Sequence, residues 1–305
     1  RLYDGRRNTF FSLSYEGTRE RVARASLYTI PSALQRSGDF SDLVDKAGQP
    51  VAIFDPLSTS LDPAYDSARP VALDNLQYRR ESFGGNRIPA ARLDPVAYRA
   101  LPFYPLPNAS VGPFLRNNYF INPPETNTPD GILVKLDHQL LPRHKLTAEA
   151  AYSKGFHGSP PVFPTLANPG RADRYFDTRR VSLTDTVSLS PQALFTAAVS
   201  AATDGTSTSP ERGQVSAALG LAGVESDIFP DFRLSGYLGM GSPRGSVLAN
   251  HRHLYTLSNG LSVRRGRHTL SLSSTLQREQ LNTFQPEVPS GSFYFGPELS
   301  GLPGI

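Results

Sequence analysis

The chain has 305 residues, 38% of them apolar, with a formal net charge of +4 and no cysteine. It lacks any apolar run of about 18 residues or more, which excludes a membrane-spanning helix; a β-barrel remains open, because its strands need only about 9–11 residues with every second one apolar. The missing cysteines rule out disulfides and thiolate metal sites, and Lys and Arg are scattered among acids rather than gathered on one nucleic-acid-binding face.

The first predicted element is a lone strand, TFFSLSYEG at 9–17, with Phe11, Leu13 and Tyr15 opposite Ser12, Ser14 and Glu16. A long connection, about 17–130, follows. Next comes ILVKLDHQLLPRHKLTAEAAY (132–152), read as strands at about 131–140 and 145–153 joined by a turn at Leu141–His144. Ile132, Val134, Leu136, Leu146, Ala148, Ala150 and Tyr152 share one parity, and Lys135, Asp137, Gln139, Lys145, Thr147 and Glu149 the other. Such period-two alternation marks half-buried strands, whose apolar face needs a second sheet or lipid to cover it.

After a connection at about 153–178, RVSLTDTVSLSPQALFTAAVSAA (180–202) repeats the design, with strands at about 179–189 and 193–203. A connection at about 204–250 leads to LYTLSNGLSVRRGRHTLSLSSTL (254–276), with strands at about 251–263 and 267–280. The turns within hairpins are short and the segments between them are long and rich in proline, of which the chain has 27. Structureless connections beyond about 12–15 residues are uncommon in compact domains, whereas a transmembrane barrel has short periplasmic turns at one rim and long extracellular loops at the other.

Tyr15, Tyr152, Tyr175 and Tyr255 lie at the strand ends away from the short turns, on the apolar parity, where an interfacial girdle belongs. Asp185 and Asn259 share that parity and fit it badly. Either a β-bulge turns them inward or their strands extend beyond the lipid.

No catalytic motif is found, and the expectation is a non-enzyme with no cofactor, no catalytic or metal-binding residue, and substrate-binding residues unassigned. Gly236, Gly239, Gly241 and Gly245 lack dinucleotide-loop spacing. His251 and His253 lack a third ligand and read as a polar strand entry. Asp39, Asp42 and Asp45 recur every third residue, unlike the alternate acids of an EF-hand, and read as a solvated turn. Asn108–Ser110 is a formal glycosylation sequon. Phe103, Tyr104 and Phe114 are expected to pack their loop against itself rather than stack on a ligand.

RRNTFFSLSYEGTRER (6–21), GGNRIPAARLDPVAYRALPFYPLPN (84–108), LVKLDHQLLPRHKL (133–146), FPDFRLSGYLGMGS (229–242) and RRGRHTL (264–270) resemble, in order, TonB-dependent outer-membrane receptors of the Oar-like type. The resemblance implies a 22-stranded barrel filled by an N-terminal plug and coupled through a TonB box to TonB, ExbB and ExbD. It also implies a transported solute bound at the outer loops, and a location in the outer membrane of a Gram-negative bacterium, with outer-membrane lipid around the barrel. On this reading residues 1–305 are about seven early barrel strands, an internal piece without plug, TonB box or the last strands. Arg1 then falls in the turn after the first strand. The polar set Lys135 to Glu149 either lines the path or, the preferred reading, contacts the plug. Other readings are a secreted or surface all-β binding or adhesion module with a sandwich core, and a hydrolase with a loop-borne site.

Overall fold

The computed structural model describes residues 8–45, 47–110, 116–170, 172–224 and 227–304. Arg1 and Phe114 lie outside them. Seven long strands form an antiparallel meander in chain order: β1 Thr9–Gly17, β2 Asp130–Leu141, β3 His144–Gly158, β4 Arg174–Ser190, β5 Ala193–Thr208, β6 Leu248–Arg265 and β7 His268–Phe284. The sheet is open, because β1 and β7 do not pair.

Several strands run longer than the alternation alone marks. β4 starts at Arg174 and β5 continues to Thr208. Their far ends, RYFDTRR and DGTST, lack a clean period of two. The ladder there rests on backbone N–H and C=O groups, which every non-proline residue supplies.

The cross-strand register gives the sheet two unlike faces. Leu183 pairs with Ala148 and Val199, and Val199 with Leu257, which pairs with Leu276. This row is aliphatic from β3 to β7. On the other face Lys135 meets Glu149 at 3.1 Å and Lys145 meets Asp137 at 3.3 Å, while Thr147 Oγ1 donates to Asp137 at 2.6 Å. No side chain of the seven strands is buried: only Gly158 and Gly205 are. Leu13, Val181, Val199 and Leu272, among others, stand exposed. A sandwich buries such a face under a second sheet. No element packs on this one among the described residues.

The register runs unbroken through Asp185 (to Leu146 and Ala197) and Asn259 (to Ala197 and Ser274), so no bulge turns either inward. The irregularities lie at Gln139/Leu141 and Ser188/Ser190, beside the turns. A strand tilted by about 40° climbs about 2.5 Å per residue. Asp185, five residues before Ser190, therefore stands about 13 Å above the short turns, within an apolar band about 25 Å tall. It is not beyond the band. One carboxylate oxygen lies 3.4 Å from His144 Nδ1 on the neighbouring strand.

The same arithmetic separates the tyrosines. Tyr152, eight residues past His144, and Tyr255, ten before Arg265, stand about 20–25 Å above the short turns, where a girdle belongs. Tyr175, 15 residues before Ser190, stands at about 38 Å, well above that level. Its ring packs instead on Phe156, centroids 4.9 Å apart.

The long segments are folded, not structureless. The two arms of the 17–130 segment pair in short pieces, Glu20–Ala23 with Pro124–Asn127 and Ser26–Tyr28 with Tyr119–Ile121. Asn122 and Pro123 separate the two pieces, and neither Pro123 nor the end residue Pro124 has an N–H to donate. The remaining stretches converge on one core. Ile30, Ala100, Tyr104 and Tyr119 come from the first segment, Phe163 and Ala167 from the second, and Val215, Leu219, Phe229, Phe232 and Met240 from the third. Residues after β7 join by a parallel pairing of Ser292–Phe295 with Asp231–Leu234. We call this assembly the cap.

Two short helices sit in it. α1, Pro95–Ala100, starts on Asp94, whose carboxylate accepts from the Val96 and Ala97 N–H groups, with Pro95 preset for the first turn. α2, Val215–Leu219, ends on Gly220 at φ 72°, and its last carbonyl accepts from Arg99 of α1 at 2.9 Å. Gly241, at φ 83°, docks the second segment by donating to the Ala167 carbonyl at 2.8 Å. A Cβ there would lie 1.8 Å from the Pro230 carbonyl oxygen, so only glycine fits.

Candidate functional site

The cap holds two adjoining, half-open cavities, of about 440 and 630 Å³. The larger is mostly apolar, walled by Phe40, Ile88, Leu93, Leu221, Met240 and Phe293. The volumes fall within the range of about 300–1,000 Å³ usual for small-molecule sites. A polar network that starts at Tyr237 and Gln35, on the wall common to both cavities, joins the third segment to residues 32–42 of the first. Tyr237 Oη donates to Gln35 Oε1 at 3.0 Å, and Gln35 Nε2 donates to Asp42 at 2.9 Å. The other Asp42 oxygen accepts from Ser32 Oγ at 2.5 Å.

Two other polar groups lining the larger cavity are likewise engaged within the protein. Tyr104 Oη donates to the Leu238 carbonyl at 2.5 Å, and Asp94 caps α1. Arg36 differs. Its Nη2 donates to the Leu101 carbonyl at 3.1 Å, but its Nη1 is buried with no hydrogen-bond partner among the described residues.

Burial, and then the charge of Tyr237 nearby, pushes the Tyr104 phenol far above the ordinary value of 10.0. Burial, followed by the Asp42 carboxylate, raises Tyr237 as well, against a smaller opposing effect of Arg116. A phenol whose pKa rises on folding contributes stability that is fully present below the unfolded value and lost as pH rises through the folded one. The cap should therefore resist protease up to about pH 10 and lose that resistance above it. Digestion of the full-length protein across that range checks this; resistance unchanged past pH 11 contradicts it.

The remaining sequence candidates have structural jobs. Asp39 pairs with Arg87 at 2.9 Å and Asp45 accepts from the Ala47 and Gln49 N–H groups, so with Asp42 in its own network the three acids do not converge. The Asn108 side chain bonds both the N–H and the C=O of Phe120. His253 meets Thr203 at 3.1 Å. No cluster of three or more His, Cys, Asp or Glu side chains suited to a metal occurs among the described residues. Phe103 and Tyr104 belong to the cap packing, Phe103 against Phe229 at 4.8 Å and Tyr104 against Phe163 at 5.5 Å. Sequence reasoning missed Gln35, Arg36 and Tyr237, isolated polar residues in separate segments with no motif to join them.

An antiparallel meander with one bare apolar face, short turns at one rim and a folded cap beyond the other is the geometry of a membrane barrel wall. The chain matches the model of the outer membrane beta barrel domain over residues 5–304. It belongs to that family. No curated protein and no solved structure matches it. The barrel family places the protein in the outer membrane, with β1 to β7 as transmembrane strands.

Proposed function

We propose that this outer membrane barrel is part of a TonB-dependent receptor of a Gram-negative bacterium, and that its cap takes up a solute on the outer face. The observation that carries this reading is the location of the buried core and the cavities. The core and the two cap cavities are built from the segments between hairpins and the residues after β7, at the rim away from the short turns. The order of the five motifs from residue 6 to residue 270 supports the receptor family. The transport cycle is capture in the cap, then a plug rearrangement driven through TonB, ExbB and ExbD. This chain contributes binding and a wall, with no covalent chemistry and no cofactor. The charged ladder of Lys135, Glu149, Asp137 and Lys145 faces the lumen, where it contacts the plug.

Two readouts test the proposal. An epitope inserted near Asp45–Gly48 of the full-length protein should be detected on intact cells; detection only after permeabilisation reverses the topology. Tagged full-length protein should retain the periplasmic domain of TonB from the same cell. Failure to retain it removes the transport reading and leaves a surface binding module.

A further inference from the structure

We infer that this barrel pairs with a second copy of itself in the membrane, through a two-fold contact centred on Asn259 of β6. Asn259 stands on the apolar face, six residues before Arg265 and so about 15 Å above the short turns, near the middle of an apolar band about 25 Å tall. Its carboxamide makes no hydrogen bond among the described residues, and it is not buried, so it faces the lipid unmatched. Lipid tails offer neither donor nor acceptor, and a polar group left without a partner there is costly. Asp185, on the same face, has one oxygen buried and the other turned to His144, so it offers a partner less.

A carboxamide carries both an acceptor and donors, and is therefore complementary to another carboxamide. A two-fold axis along the membrane normal sets Asn259 of both copies at the same height, where each amide N–H donates to the other's carbonyl oxygen. An isologous contact of this kind is the commonest way for identical chains to pair. The surroundings allow the approach. Across the ladder Asn259 is flanked by Ala197 on β5 and Ser274 on β7, both small, and small residues let membrane-embedded backbones come close. Leu257 and Leu261, two residues away on either side along β6, share the face and surround the amide pair with aliphatic contacts. An unrelated partner would need its own polar group at this depth, whereas a second copy brings one by symmetry. The inference uses the barrel wall and not the transport reading.

The test is energy transfer between donor- and acceptor-labelled copies of the full-length protein in phospholipid vesicles, labelled at Arg267→Cys in the short turn after β6 and followed as the protein is diluted in lipid. The unaltered protein should show transfer above the random-collision level that persists on dilution. Asn259→Leu should weaken the pairing at least about fivefold, as expected for two lost interchain hydrogen bonds in a membrane. Val134→Ala, on the same face but four strands away, should leave it unchanged. A heat-modifiable band on electrophoresis reports that each variant is folded; should Asn259→Leu not fold, Asn259→Ala is measured in its place and read the same way. Transfer no higher than random in the unaltered protein, pairing that survives loss of the amide, or equal weakening by Val134→Ala overturns the inference.

Discussion

Val199→Arg should destabilise the full-length protein in phospholipid vesicles by about 2–4 kcal/mol, the cost of a cation near the middle of the bilayer on the lipid face of a barrel. Val199 lies six residues past Ala193, so it stands about 15 Å above the short turns. It pairs with Leu183 on one side and Leu257 on the other, and half of it is exposed. Its neighbour Ser200 points to the opposite face, where polar side chains already face one another. Ser200→Arg should cost less than Val199→Arg, because its side chain stays on the polar, lumen-facing side and meets no lipid. Urea unfolding of both variants checks the contrast. A cost at Val199 no larger than at Ser200 would contradict a lipid-facing Val199.

Phe229→Ala should have the largest effect in the cap, about 3–5 kcal/mol, because a fully buried ring leaves a cavity that its neighbours only partly fill. Phe229 has no exposed surface and packs edge-on against Phe103 and Phe232, centroids 4.8 and 6.0 Å apart. It joins the third long segment to the first. The loss should stay within the cap, because the sheet shares no buried side chain with it. Limited proteolysis of the full-length variant should cut within residues 30–118 and 209–247 while the hairpins stay protected. Cutting in hairpins and cap at the same rate would show that the two unfold as one.

The strand cores were legible because their chemistry is local. Leu146, Ala148 and Ala150 against Lys145, Thr147 and Glu149 state a face within six residues. The cap was not legible, because Ile30, Phe163 and Phe229 meet only after three separate segments fold back. Their prolines read as breaks in pairing, which they are at Pro123–Pro124, but not as a folded unit. Tyr175 was grouped with the girdle by parity and by its place just before the alternating stretch; its height depends on strand length, which alternation underestimates where the far end is irregular. For Asp185 parity was right and the escape from it was not: a bulge or an extension beyond the lipid was expected, but the unbroken register keeps it on the apolar face beside His144.

The central claim is that the bare apolar face meets lipid, and single-cysteine spin labelling, with no cysteine among these 305 residues to compete, is its most direct measurement. Labels at Leu13, Val134, Ala148 and Leu183 of the full-length protein in vesicles should be accessible to oxygen and shielded from a water-soluble relaxer. Labels at Ser12, Lys135 and Glu149 should show the reverse pattern or be buried against the plug. Equal exposure of both sets to the water-soluble relaxer would contradict the barrel wall and everything built on it.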